Sequence, residues 1–245
     1  MSAHGTLYLV PNLLGAGDAD LCIPPAVRKI VRDLDYFVVE TPKAARAFLK
    51  ASGTTKPLQA LRIEAMPEKP DEAAAKRLLA PLMEGADGGL ISDAGVPAVA
   101  DPGAVIVRAA HGAGIKVVPL VGPSSLLLAL MASGLQGQRF AFHGYLPVDE
   151  KELASAIKRL DEESARHDQT QMFIETPYRN ERMLKLLCAN LKPSTLLCVA
   201  ADLTLPTETV STRSAADWRA SPAPALKDRP CVFLLLAAGR SAQRH

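Results

Sequence analysis

Residues 91–103 read ISDAGVPAVADPG, which has the pattern of a strand end, a turn of small residues and the start of a helix. An apolar run ends at Ser92 and Asp93, and two small residues, Ala94 and Gly95, follow directly. Small residues let a ligand lie against the backbone, and open α/β sheets bind ligands at the carboxyl ends of their strands. The stretch therefore predicts a ligand-binding turn, where Asp93 could meet a hydroxyl or a cation. The same residue could instead act only as a cap or turn former.

A second stretch, VVPLVGPSS at residues 117–125, repeats this order of apolar run, small residues and helix start. Gly122, Pro123 and Ser124 would bring backbone N–H groups and a hydroxyl to the N-terminus of a helix, which suits a polar or anionic ligand group. A capped helix without a ligand would show the same pattern. Two such strand ends in one chain favour a shared cleft.

The first half of the chain alternates apolar runs with helical patterns. Strict alternation of this kind implies right-handed crossovers and a mainly parallel sheet. Asp101 is expected to cap the helix that Pro102 opens, and Pro81 is expected to kink or shorten its own helix. The predicted strands are 6–10, 36–40, 89–92 and 115–118, and the predicted helices are 25–33, a segment opened by Pro42, 71–84 and 102–111.

The second half has less helix between its strands, which favours a mixed sheet. The expected fold class is α/β, with helices on the sheet faces and two domains, residues 1–119 and 120–245. The predicted strands are 139–146, 171–176, 196–201, 209–211 and 231–236, and the predicted helices are 123–133, 150–166, 179–190 and a short one near 214–220.

Composition narrows the function classes. The 245 residues are 48% hydrophobic and 22% charged, with a formal net charge of +2, so the chain can bury a core but its charge does not indicate a polyanionic partner. The N-terminal apolar run lacks a basic leader, and Pro and Gly interrupt the later one, so a cytoplasmic location without a membrane span is expected. The four cysteines lack paired spacing, which predicts free thiols and no metal site. A dinucleotide fingerprint, a P-loop and a GxSxG elbow are all missing.

Six strings occur in a fixed order from Gly5 to beyond Arg179. They are GTLYLV, LISDAGVPAVADPG, GIKVVPLVGPSS, ALMASGL, RFAFHGYLP and FIETPYR. Together they resemble the tetrapyrrole methylase superfamily of S-adenosylmethionine-dependent enzymes, and within it the ribosomal RNA small-subunit methyltransferase I branch, which 2′-O-methylates a cytidine ribose. The resemblance implies two α/β domains with S-adenosyl-L-methionine in the cleft between them, and a homodimer.

The resemblance also implies cofactor contacts, largely through backbone groups, so that small side chains suffice. A Gly95→Leu substitution is expected to block the cofactor without unfolding the chain. The implied contacts are Asp93, Ala94, Gly95, Val96 and Val99 in the first stretch, Gly122, Pro123 and Ser124 in the second, and Glu175, Ala201, Leu203 and Pro230 in the later strings FIETP, VAADLT and RPCVFLLL.

The chain departs from that branch mainly at polar positions. Its turn PNLLGAGD replaces ATPIGNLGD, ETPKAA at residues 40–45 replaces EDTRHT, EAMPEKP at 64–70 replaces an HNE-like string, and AADLTL at 200–205 replaces a RELTK-like string. These losses fall on side chains that could touch RNA or a ribose, whereas the cofactor strings are largely kept. The catalytic residues stay unknown, and Asp93, Glu40 and Glu175 are equal candidates for a general base.

Three functions therefore stay open: a methyltransferase acting on small-subunit rRNA, a methyltransferase acting on a small molecule such as a tetrapyrrole, and a non-catalytic cofactor-binding protein. A basic strip leading to the cleft would favour RNA. Lys43, Arg46, Lys50 and Lys56 lie in one region, although a helix face and loop of this kind could simply be solvated.

Overall fold

The first half of the chain folds into a five-stranded sheet with helices on its faces, and the computed structural model describes residues 4–238. Its elements are β1 (Thr6–Val10), α1 (Ala19–Cys22), α2 (Pro25–Asp33), β2 (Tyr36–Val39), α3 (Pro42–Ala51), β3 (Arg62–Ala65), α4 (Glu72–Met83), β4 (Gly88–Ile91), α5 (Ala104–Gly112) and β5 (Lys116–Pro119). The strand order is β3-β2-β4-β1-β5, and every neighbouring pair is parallel. This confirms the predicted parallel sheet, whose carboxyl strand ends all lie at one edge.

The interior strands β2 and β4 are buried along their whole length. Successive side chains of a strand point to opposite faces, so Phe37 and Val39 join the apolar cluster on one face, while Tyr36 and Val38 join the cluster on the other. A Cβ atom added to Gly89 would lie 2.8 Å from the ring of Phe37. Glycine in β4 therefore makes room for the aromatic side chain of its neighbour.

The second half forms a mixed five-stranded sheet, as predicted. Its elements are α6 (Ser125–Ser133), β6 (Phe140–Tyr145), α7 (Glu150–His167), β7 (Thr170–Glu175), α8 (Asn180–Asn190), β8 (Leu196–Ala201), β9 (Thr209–Ser214), α9 (Ala215–Ala220) and β10 (Cys231–Leu236). The strand order is β6-β7-β10-β8-β9, with β6 parallel to β7 and all other pairs antiparallel. The rings of Phe173 and Phe233 stack at 5.7 Å between centroids in its core.

Contacts divide the chain into two compact units, Met1–Ser124 and Ser125–His245. Each unit has its own sheet and its own apolar cluster or clusters. The domain bounds 1–119 and 120–245, and a cofactor cleft between the domains, stay predictions. Within residues 4–238, no helix combines the length and the apolar character that crossing a membrane requires.

Some local predictions were wrong. Helix α5 begins at Ala104, with Gly103 at the N-cap, so Asp101 does not cap it and Pro102 does not open it. The helix predicted over 71–84 is observed as Glu72–Met83 with Pro81 inside it, and a kink at Pro81 stays a prediction. Strand β3 and the single-turn helix α1 were missed. Strand β3 has the sequence RIEA, lies at the edge of the sheet and is only partly buried, so it lacks the apolar run by which the other strands were found.

Candidate active site

The turns that follow β1 and β4 are joined at the carboxyl edge of the first sheet by Asn12. This buried side chain donates from Nδ2 to the carbonyl oxygens of Ser92 and Asp93, at 2.9 and 3.0 Å. Its backbone N–H donates to the carbonyl oxygen of Gly95 at 2.8 Å, and its Oδ1 accepts from the amide of Leu13 at 2.7 Å. Asn12 thus fixes the backbone of the turn in which the first predicted cofactor contacts lie.

Asp93 is also tied to the turn that follows β2. Its Oδ1 accepts hydrogen bonds from the backbone N–H and from the hydroxyl of Thr41, at 3.0 and 2.8 Å. In return, the backbone N–H of Asp93 donates to Oε2 of Glu40 at 2.9 Å. Asp93 is exposed, and its Oδ2 accepts no hydrogen bond from any of residues 4–238. One carboxylate oxygen therefore holds the turn while the other is available to a ligand.

Glu40 carries a perturbed acid group in this network. Burial raises the pKa of its carboxyl above the ordinary value, the hydrogen bond from the Asp93 amide opposes the rise, and the carboxylates of Asp93 and Asp101 add to it. A raised pKa means that the folded chain disfavours the ionised form of Glu40. Glu40 is one of the three candidates for a general base. In the structure it also accepts the hydrogen bond that orients the amide of Asp93.

The two stretches singled out in the sequence are neighbours in the first unit. Gly95 has φ +69°, a conformation that side chains rarely adopt, and a Cβ added to it would lie 3.3 Å from Cδ2 of Leu14 and 3.5 Å from the carbonyl oxygen of Pro123. A Cβ added to Gly122 would overlap the ring of Pro11. Gly95 and Gly122 therefore let the loops that follow β1, β4 and β5 approach one another closely. The sequence analysis assigns the loops after β4 and β5 to the cofactor.

The segment between β4 and α5 doubles back on itself around Asp101. Its Oδ1 accepts from the amides of Ala98 and Gly103, at 3.0 and 2.6 Å, while its buried Oδ2 has no partner among the described residues. Burial raises the pKa of this carboxyl. Ala98 and Ala100 both have positive φ angles, 67° and 62°, so the segment is strained and Asp101 holds it. Val99 is exposed at its tip.

A cavity of about 380 Å³ lies beside this network in the first unit. Its volume is in the range of small-molecule sites, roughly 300–1,000 Å³. Segment 12–17 forms one wall, Asp93 and Ala94 form another, and one face of α3 forms the third with Ala44, Ala47, Phe48 and Ala51. The cavity therefore adjoins the turn predicted to hold the cofactor.

The four predicted contacts of the second unit lie near one edge of its sheet. Glu175 ends β7 and Ala201 ends β8, and both face Cys231, which begins the antiparallel strand β10 directly after Pro230. Oε1 of the buried Glu175 accepts from Nη2 of Arg179 at 2.6 Å and from the amide of Thr176 at 2.6 Å. Glu175 therefore fixes the segment after β7, and its burial distinguishes it from the exposed Asp93.

An ion pair that was not predicted fixes the same edge. Nε of Arg229 donates to Oδ2 of the buried Asp202 at 2.7 Å, and Nη2 donates to the carbonyl oxygen of Thr207 at 2.6 Å. Asp202 has a φ of 53°, and its amide donates to the carbonyl oxygen of Pro230 at 3.0 Å. The turn that holds Leu203 is thereby locked against the start of β10.

The structure distributes the predicted contacts over both units. In the first unit, Asp93, Ala94 and Val99 are exposed, Val96, Gly122 and Ser124 are half-buried, and Gly95 and Pro123 are buried. In the second unit, Glu175, Ala201 and Leu203 are buried and Pro230 is exposed. Sequence reasoning missed Asn12, Thr41 and Asp202 as the residues that hold these turns. Asn12 and Thr41 each lie two residues after the end of a strand, at Val10 and Val39, and this position was the available signal.

Comparison with known proteins identifies the family. The profile of the Tetrapyrrole (Corrin/Porphyrin) Methylases matches residues 6–217. The chain belongs to the tetrapyrrole methylase family. A relative named ribosomal RNA small subunit methyltransferase I, from Xylella fastidiosa (strain Temecula1 / ATCC 700964), is 32% identical over 99% of this chain and 85% of its own length. One of the same name from Escherichia coli O157:H7 is 33% identical over 85% of this chain and 69% of its own length.

Solved structures agree on the fold of this tetrapyrrole methylase. The methyltransferase CobJ superimposes with a TM-score of 0.63 at 19% identity, covering 96% of this chain and 95% of CobJ. The uroporphyrin-III-C-methyltransferase of Thermus thermophilus gives a TM-score of 0.55 at 20% identity, covering 95% of this chain and 92% of that enzyme. At these identities the likeness supports the fold alone. The resemblance drawn from the six strings is confirmed, and the chain is a methyltransferase of this family.

The first-unit residues fit a ligand held mostly by backbone groups. The exposed Ala94 presents only a methyl side chain, Gly95 presents none, and Asp93 keeps a free carboxylate oxygen. No cluster of three or more His, Cys, Asp or Glu side chains suited to a metal ion occurs in the described part of the chain.

Proposed function

We propose that this chain is an S-adenosyl-L-methionine-dependent methyltransferase that methylates a ribose 2′-hydroxyl of small-subunit rRNA. The observation that carries the proposal is the 32% identity to a ribosomal RNA small subunit methyltransferase I over 99% of the chain. Such coverage includes both units and all the residues assigned to the cofactor. The 2′-hydroxyl of a cytidine is the acceptor that the sequence resemblance implies.

The cofactor contacts proposed are those assigned from the sequence. In the first unit, Asp93, Ala94, Gly95, Val96 and Val99 follow β4, and Gly122, Pro123 and Ser124 follow β5. In the second unit, the proposed contacts are Glu175, Ala201, Leu203 and Pro230. The closeness of Gly95 and Pro123, and the shared register of Glu175 and Ala201 opposite Cys231, support the grouping within each unit.

The bound cofactor would supply an electrophilic sulfonium methyl group. The protein must then bring the acceptor oxygen into line with that methyl group and help to remove its proton. Asn12 and Thr41 hold the backbone and the Oδ1 of Asp93, so that Oδ2 is presented at a fixed position. We assign Asp93 to orient the acceptor hydroxyl and accept its proton, because it is the only one of the three candidate carboxylates that is exposed.

We further propose a homodimer, as the family resemblance implies, and a cytoplasmic location, as the N-terminal sequence and the unpaired cysteines predict. Analytical ultracentrifugation of the purified chain tests the homodimer by measuring the mass of the particle in solution. A mass of two chains at micromolar concentration would agree with the proposal, and a single-chain mass would contradict it.

Two measurements test the proposed function together. Calorimetric titration with S-adenosylmethionine and S-adenosylhomocysteine asks whether both bind at one site per chain. Transfer of a tritiated methyl group is then measured with unmodified small-subunit rRNA and, separately, with uroporphyrinogen III. Label in the rRNA supports the proposal. Label only in the tetrapyrrole would replace the substrate, and cofactor binding with no transfer to either would favour a non-catalytic protein.

A further inference from the structure

The cavity of the first unit has an unusual lining for a site beside a polar network. Its α3 wall is apolar, with Ala44, Ala47, Phe48 and Ala51. The lining side chains with hydrogen-bonding groups are Asn12 and Asp93. Both Nδ2 and Oδ1 of Asn12 are already hydrogen-bonded to backbone groups. The cavity therefore suits a flat group with apolar faces, and it leaves Oδ2 of Asp93 free for a hydroxyl beside that group.

A row of cations borders this cavity on the same helix. Lys43, Arg46 and Lys50 are exposed and lie three and four residues apart, so they share one face of α3. Lys43 precedes the cavity residue Ala47 by four positions, and Lys50 follows it by three, which makes both of them its surface neighbours. The cationic face is thus contiguous with the apolar cavity wall.

These three cations have no acidic partner in the described structure. Ion pairs elsewhere in the first unit engage Arg28, Lys56, Arg62 and Arg77, whereas no carboxylate of residues 4–238 pairs with Lys43, Arg46 or Lys50. Unpaired like charges on one helix face repel each other, which a polyanion would relieve. With a net charge of only +2 for the whole chain, the row is a local feature rather than general basicity.

We infer that this cavity and the α3 cation row, defined as Lys43, Arg46 and Lys50, together bind single-stranded RNA: the cavity takes an unstacked nucleobase and the row binds the adjoining phosphates. An apolar slot for a splayed base beside a cationic track is the usual chemistry of single-strand RNA recognition. The row spans about 10 Å along the helix axis, so it can follow a bent backbone past more than one phosphate.

This inference deepens the proposed function and rests on it for the identity of the acceptor. The base in the cavity would belong to the nucleotide whose ribose reaches Asp93, because Asp93 lines the cavity and also lies in the turn assigned to the cofactor. The α3 row would then supply cationic contacts at a place where this chain has ETPKAA and lacks the arginine and histidine of the EDTRHT string.

Two variants separate the two parts of the site. The first combines Lys43→Ala, Arg46→Ala and Lys50→Ala, and its matched control combines Lys151→Ala, Lys158→Ala and Arg166→Ala on α7. The control removes the same charges from exposed positions of another helix that lack a described ion-pair partner. The second variant is Ala47→Leu, which fills the cavity with a good helix former. Its control is Ala73→Leu, at an exposed position of α4.

Binding is measured by fluorescence anisotropy with a short fluorescein-labelled, unstructured RNA that contains one central cytidine, across a series of salt concentrations. We expect the α3 triple variant to bind at least about tenfold more weakly at low salt, and to lower the slope of log affinity against log salt by about 2. Ala47→Leu is expected to weaken binding about tenfold at every salt concentration, with an unchanged slope, because it removes a base contact and no charge.

Calorimetric titration with S-adenosylmethionine and thermal unfolding accompany each variant, so that misfolding is recognised. Both control variants are expected to match the wild type. If either the α3 triple variant or Ala47→Leu binds the RNA as its control does, or if the wild type does not bind it, the inference is overturned.

Methyl transfer by the wild type tests the proposed function separately. RNA binding that depends on α3 without methyl transfer would uphold the RNA site and overturn the proposed reaction. Methyl transfer to rRNA that the α3 changes do not affect would uphold the proposed reaction and overturn the RNA site.

Discussion

Oδ1 of Asp93 accepts two hydrogen bonds from Thr41, one from its backbone N–H at 3.0 Å and one from its hydroxyl at 2.8 Å. Thr41 also begins α3 as its N-cap, with its hydroxyl oxygen accepting from the amide of Ala44 at 3.4 Å. One side chain therefore links the helix that lines the cavity to the carboxylate that faces the proposed acceptor.

A Thr41→Val substitution tests whether the hydroxyl of Thr41, rather than the volume of its side chain, makes this link. Val keeps the size but loses the hydroxyl, so the chain loses a cap and a hydrogen bond to Asp93, which together should lower the free energy of unfolding by about 1–2 kcal/mol. Thr41→Ser keeps the hydroxyl and should stay close to the wild type. Urea unfolding measures both, and equal stabilities for the Val and Ser variants would contradict the link.

Asn12→Ala should loosen the turn after β4. The carbonyl oxygens of Ser92 and Asp93 would lose their donor at a largely buried position, at a cost of about 1–3 kcal/mol. Asn190→Ala, which removes a single hydrogen bond to Leu186 at the end of α8, is the control and should cost less than about 1 kcal/mol. We also expect S-adenosylmethionine to bind Asn12→Ala more weakly in calorimetric titration. Unchanged stability and unchanged affinity would show that Asn12 does not hold the turn.

Gly122→Ala should move the loop after β5. The added methyl group would overlap the ring of Pro11, so we expect a loss of about 1–3 kcal/mol in stability and weaker cofactor binding. Gly112→Ala is the matched control, because nothing lies within 4 Å of a Cβ at that position. Thermal unfolding of the two variants checks the comparison. If Gly122→Ala were as stable as Gly112→Ala, the fold would not depend on the close approach of the backbone at residue 122 to Pro11.

Glu40→Gln should change how stability depends on pH. Since the pKa of Glu40 is raised in the folded chain, its ionisation opposes folding, and its favourable contribution below the unfolded pKa is lost as the pH rises through the folded pKa. Gln cannot ionise but can still accept from the Asp93 amide. We therefore expect Glu40→Gln to be more stable than the wild type at pH 7, and this advantage to vanish below about pH 4.

Urea unfolding at a series of pH values checks this expectation, with Glu162→Gln at an exposed position of α7 as the control. If Glu40→Gln were less stable than the wild type at pH 7, or if its advantage were the same at both ends of the series, the cause assigned to the pKa shift would be wrong.

Much of the fold could be predicted because the strands are apolar runs bounded by turn residues. Strands β1, β8 and β10 have the predicted bounds, Thr6–Val10, Leu196–Ala201 and Cys231–Leu236. Strand β3 could not be found in this way, because an edge strand can keep polar side chains on its exposed positions. The failure at Asp101 has a different cause: its carboxylate turns back to the amide of Ala98, in a segment whose alanines adopt positive φ angles that the sequence does not announce.

The site was only partly predictable for a similar reason. Small residues after β4 and β5 marked the two turns, but Asn12 reaches carbonyl groups 80 and 81 residues further along the chain, and no local pattern reveals such partners. The structure also changes one test suggested by the sequence. Gly95 has a positive φ, so Gly95→Leu would strain the backbone and could not block the cofactor without disturbing the turn.

The most direct measurement of the central claim is the position of the methyl group on the product. Unmodified small-subunit rRNA is incubated with the purified chain and S-adenosylmethionine, then digested to nucleosides and examined by mass spectrometry. The account predicts 2′-O-methylcytidine that forms only when both chain and cofactor are present. A methyl group on a base, or no methylated nucleoside from a chain that binds the cofactor, would contradict it.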